Sequence, residues 1–125
     1  HSTDIPDYLA AHMGGELWED YSAYERHSAI HHIKNVTTPT QVIHGARDLR
    51  VPFTQGQEFY VALGRLGVET EMIVYPRTPH GPREPKLLMD VTPRILDWFA
   101  RHGGPEPPEE ETSSESAESQ ATGSE

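Results

Sequence analysis

Thr40-Gln41-Val42-Ile43-His44-Gly45-Ala46-Arg47-Asp48-Leu49-Arg50-Val51-Pro52 and Glu69-Thr70-Glu71-Met72-Ile73-Val74-Tyr75-Pro76-Arg77-Thr78-Pro79-His80-Gly81 are the two stretches that decide the fold. Each begins with a short apolar run containing β-branched residues, which reads as a buried strand. Each run then ends at Gly45 or Pro76. Each places one polar group, Asp48 or His80, in the loop just past the strand's carboxyl end. Open α/β sheets build their active sites at that edge.

The segments around these strands extend the pattern. Pro52 suits the first turn of a helix. From Phe53 to Leu66, apolar Phe59, Tyr60, Leu63 and Leu66 line one face, and Gly67 is placed to end it. The last four residues of Glu69 to Tyr75 are apolar on both faces, as a strand covered by helices on both sides requires. Lys86 to His102 reads as a final helix, with Leu88, Val91, Ile95, Trp98 and Phe99 in a stripe. Pro93 falls inside it and is expected to kink the helix, or to restart it with Thr92 as cap.

Upstream, Asp4-Ile5-Pro6 reads as a helix start, with Asp4 as cap and Pro6 in the first turn, and Gly14-Gly15 as its end. Leu17, Trp18, Tyr21 and Tyr24 predict a second short helix whose aromatics are core rather than pocket lining. Asn35 to Pro39 reads as a turn. Strands alternating with helices imply right-handed crossovers and a parallel sheet, so the fold class is α/β. Two strands make a poor sheet alone. One flank of the first strand is expected to pair with a neighbour outside these 125 residues.

The net charge of −10 divides unevenly. Residues 103–125 hold seven Glu and no Lys or Arg, whereas residues 1–102 hold thirteen acidic and ten basic residues. The last segment lacks any large apolar residue and is expected to be disordered. The domain is therefore expected over 1–102, with a Glu/Ser/Pro-rich tail over 103–125. Nothing forms a basic groove, so no nucleic-acid partner is expected. No apolar run approaches the length that crosses a membrane, so no membrane partner is expected either. There is no cysteine, which excludes disulfides and thiolate metal sites.

An Asp and a later His in consecutive strand-end loops are two thirds of a hydrolase triad, whose chain order is Ser, Asp, His. A hydroxyl is a poor nucleophile at neutral pH and needs a His to take its proton. A carboxylate must hold that His in the right tautomer. Asp48 and His80 lie 32 positions apart, and one helix and one strand between them return the chain beside its start. Pro76 and Pro79 stiffen the His80 loop. No cofactor or metal is required. No Gly-x-Ser-x-Gly elbow is present, so the nucleophile is expected upstream of His1.

Other polar residues read more simply. His27 and His31 have the spacing of two ligands on a helix, but with His32 they are expected to be a surface cluster without metal. His44 reads as a buried strand-end imidazole bonded to the neighbouring loop. Arg77, Arg83 and Glu84 read as a surface ion-pair set around His80.

The order His44-Gly45-x-x-Asp48-x-x-Val51-Pro52, then Tyr75-Pro76-Arg77-x-Pro79-His80-Gly81 and Arg83-Glu84-Pro85, resembles the prolyl oligopeptidase family of serine peptidases. The likeness is strongest to its acylaminoacyl-peptidase and dipeptidyl-aminopeptidase-like branch. Thr3-Asp4-Ile5-Pro6, Gly14-Gly15, Trp18 and Ser28 to Thr40 extend it over residues 1–102. The resemblance implies the carboxyl-terminal part of an α/β-hydrolase fold, with Asp48 as triad acid and His80 as triad base. It implies short peptides as substrates and the missing upstream part of the catalytic domain as partner. Ala29 stands where the family usually has Pro, and Pro93 and the tail also depart from its pattern. An esterase or other acyl hydrolase of the same fold, or an inactive interaction module, are the alternatives.

Overall fold

The computed structural model describes residues 2–103. The tail expected from 103 onward lies, beyond Gly103, outside the described residues. The element order is α1 (Pro6–Met13), α2 (Tyr21–His27), a 3₁₀-helix (Ala29–Asn35), β1 (Thr40–Gly45), α3 (Phe53–Arg65), β2 (Thr70–Tyr75) and α4 (Pro85–Arg101). β1 and β2 pair in parallel from Thr40 opposite Thr70 to Gly45 opposite Tyr75. The α3 crossover carries the chain back to the start of the sheet, which is why both strands point the same way. The strand–helix–strand–helix order and the parallel pairing are as the sequence predicts.

α3 packs on both strands and on the 3₁₀-helix. Leu63 is the fully buried side chain of α3. Removing such a side chain from water is worth about 1.5–3 kcal/mol. Pro52 precedes α3 and Gly67, at φ +76°, follows it. On β2, Ile73 and Tyr75 are buried and two residues apart, so they share a face. The Tyr75 hydroxyl donates to Asp90 of α4 at 2.9 Å, so that face looks toward α4. Trp98 is the buried residue of α4.

Several local expectations are corrected. Asp4 does not cap α1: the cap position is Ile5, without a side-chain bond. Asp4 instead takes a forked pair from Arg50, at 3.1 and 3.3 Å, and donates its amide to the Leu49 carbonyl at 2.8 Å. A charged partner from a distant loop outcompetes the local cap. Pro93 neither stops nor restarts the last helix, because α4 runs continuously through it. The predicted aromatic core near the start is not formed among the described residues. Trp18 precedes α2 and is 74 % exposed, and Tyr21 is 59 % exposed. Leu66, Leu88 and Phe99, assigned to apolar stripes, are also exposed, as is Val74 on β2. A single crossover unit offers too little surface to bury them.

Candidate active site

Both candidate residues sit just beyond the strand ends, and the backbone clamps their loops together. The Ala46 amide donates to the Tyr75 carbonyl and the Arg47 amide to the Thr78 carbonyl, each at 3.0 Å. Gly45 lies so close to the Thr78 and Pro79 carbonyls that a Cβ there would strike them. A glycine is required by this close approach. Thr78 itself is buried, so the clamp is shielded from water.

Asp48 uses its two oxygens differently. Oδ1 accepts the amides of Arg50 and Val51, both at 2.9 Å. This is the turn an Asp ordinarily makes with the backbone that follows it. Oδ2 lies 2.9 Å from His80 Nδ1. The Asp48 side chain is 6 % exposed and that of His80 56 %. Burial alone would push the Asp48 carboxyl above the ordinary range. The Val51 amide, the His80 ring and the Arg50 amide outweigh that, and hold it below. An ionised Asp48 can only accept, so Nδ1 of His80 carries the proton. Nε2 lies on the other edge of the imidazole, away from the carboxylate.

Two features position the His80 loop. Gly81, at φ +93°, turns the chain directly after His80. Arg77 and Glu84 close the loop with a forked pair, Nε to Oε1 at 3.1 Å and the second nitrogen to Oε2 at 2.8 Å. Both side chains are largely exposed, as expected of a surface ion pair. Arg83 is exposed and is not part of that pair.

Beside His80 runs an open groove of about 420 Å³, walled by Ile5, Tyr8, Leu9, Val51 and Pro52, with Arg50 at its margin. No local sequence pattern points to this groove. Asp4, just before α1, ties that end of the chain to the Asp48 loop through the Arg50 side chain and the Leu49 carbonyl, contacts between residues far apart in sequence.

The remaining histidines separate. His44 is buried and bonds the Val51 carbonyl at 2.8 Å, the strand-end arrangement expected of it. His27 ends α2, whereas His31 lies in the 3₁₀-helix, so the two do not share one helix face. His27 and His32 bond the carbonyls of Ala23 and Arg26. Among the described residues no three potential ligands gather into a metal cluster.

Known proteins resemble this chain over most of its length. The family model described as the prolyl oligopeptidase family matches residues 1–106. Acylamino-acid-releasing enzyme 1 of Oryza sativa subsp. japonica is 33 % identical over 111 residues, covering 81 % of this chain and 14 % of that protein. Acylamino-acid-releasing enzyme of Homo sapiens is 33 % identical over 110 residues, covering 82 % and 15 %. The solved structure of Pyrococcus horikoshii acylaminoacyl peptidase superposes with a TM-score of 0.73 at 26 % identity, over 81 % of this chain and 17 % of that one. The chain thus spans only about one seventh of the length of these curated relatives. Its two parallel strands and flanking helices are part of an α/β-hydrolase fold. On the match across residues 1–106, the chain belongs to the prolyl oligopeptidase family.

Proposed function

We propose that this chain supplies the acid and the base of a serine-peptidase triad whose nucleophile lies in sequence upstream of His1. The observation that carries this reading is the 2.9 Å contact between Asp48 Oδ2 and His80 Nδ1. Asp48 fixes the tautomer and stabilises the imidazolium. His80 Nε2 takes the hydroxyl proton as the serine oxygen bonds to the substrate's acyl carbon. The proton passes to the leaving amine as the C–N bond breaks. Water then attacks the acyl-enzyme, giving a proton to Nε2, which passes it to the serine oxygen as the acyl C–O bond breaks and the acid leaves.

The apolar groove beside His80 suits an apolar side chain or acyl group next to the scissile bond. Short peptides, among them amino-terminally acylated ones, fit both that groove and the names of the relatives. The upstream part of the catalytic domain is the partner. Its strands would extend the sheet beyond the two present here, and its surface would cover exposed apolar residues such as Val74, Leu88 and Phe99.

The chain alone is then inactive, since loss of a triad nucleophile costs about a millionfold in turnover. A fluorophosphonate probe tests this directly. It should label one serine of the complete protein, upstream of His1, and leave the isolated 125 residues unlabelled. Covalent labelling of a serine within these residues would overturn the assignment.

A further inference from the structure

We propose that His44 is a positioning residue for the Asp48–His80 pair, holding the Asp48 loop in place through Val51; this rests on the triad reading above. His44 Nε2 lies 2.8 Å from the Val51 carbonyl. A carbonyl only accepts, so Nε2 carries the proton and His44 donates. Val51 in turn donates its amide to Asp48 Oδ1 at 2.9 Å. One residue, Val51, is thus held on its carbonyl side by His44 and on its amide side by Asp48. From Nε2 to Asp48 Oδ2 the distance is 3.9 Å, beyond a hydrogen bond. His44 therefore acts on the carboxylate through the loop backbone.

The surroundings of the ring are built for this. His44 is 9 % exposed. Its edge meets the Phe53 ring at 5.7 Å and 90°. Its Nδ1 occupies the space that a Cβ on Gly56 would fill. Gly56 lies in the first turns of α3, where glycine is otherwise unfavourable. The close approach of His44 accounts for it. Strand β1, the loop after it and helix α3 therefore meet at one imidazole, one turn of chain before the triad acid. A sub-ångström shift of Val51 would rotate the amide that aims Asp48, and misplacement on that scale is costly in catalysis.

The test uses the complete protein and a chromogenic acyl-peptide substrate. His44→Leu should lower kcat by about tenfold to a hundredfold and leave KM within about twofold, because it disturbs alignment and not substrate binding. His44→Gln places an amide N–H at the same number of bonds from Cβ, and should bring kcat back to within about threefold of the parent. Gly56→Ala touches neither Asp48 nor His80, but its methyl displaces His44 and should reproduce the kcat loss. It also favours the helix, so it decides the matter if His44→Leu fails to fold. An unchanged kcat in His44→Leu, a loss confined to KM, or a loss that Gln does not restore would overturn the proposal. Asp48→Asn and His80→Ala run alongside. If they are severe and His44→Leu is silent, only the role of His44 falls; if they are silent too, the triad reading falls with it.

Discussion

A carboxylate has two oxygens, and Asp48 puts them to different uses. An Asp in a loop is ordinarily a turn residue, and Oδ1 is that, bonded to the Arg50 and Val51 amides. Those bonds fix the carboxylate plane and so aim Oδ2 at His80 Nδ1. The turn is what makes the acid rigid enough to steer a base. The exposed imidazole contributes its free nitrogen, the one group of the pair that can reach a hydroxyl. His80→Ala in the complete protein should therefore lower kcat by about four to six orders of magnitude, with KM little changed. Steady-state kinetics on an acyl-peptide substrate would check this; a loss below tenfold would remove His80 from the chemistry.

At the scale of elements, the site exists because two parallel strands end side by side. The parallel pairing and the α3 crossover were legible because apolar β-branched runs, a Pro at the helix start and a Gly at its end all agree. The facing of Asp48 and His80 was legible from their position after those runs. What the sequence hid depends on long-range contacts. The Arg50 fork on Asp4 overrides a local helix cap. The apolar stripe of α4 assumes a surface to pack on, and Leu88 and Phe99 do not find one here. The groove beside His80 needs α1 and the Asp48 loop together, and no local pattern encodes that. The strand ends also carry a steric prediction. Gly45→Ala would press a methyl against the Thr78 and Pro79 carbonyls and force the two loops apart. A destabilisation of about 1–3 kcal/mol is expected, measurable as a lower urea midpoint, with a fall in kcat. An unchanged midpoint and unchanged kcat would mean that the loops are not clamped at this point.

For the molecule as a whole, the buried carboxylate couples folding to pH. Asp48 is held below its unfolded value near 4. Its ionised form therefore adds stability above about pH 4, and that contribution is lost as pH falls through the lowered value of the folded state. Glu84 and Asp90 are lowered in the same direction by Arg77 and Arg94, but they are solvent-exposed and screened, so their share is small. The complete protein should lose stability on acidification below about pH 4, and Asp48→Asn should flatten that dependence; equal slopes for both proteins would contradict the linkage. The same substitution decides the function. Asn keeps the size of Asp48 and can keep its backbone bonds, but it donates where His80 needs an acceptor. Measured on the complete protein with a chromogenic acyl-peptide, Asp48→Asn should cut kcat by about four orders of magnitude. A loss of less than tenfold would show that this carboxylate does not steer the imidazole.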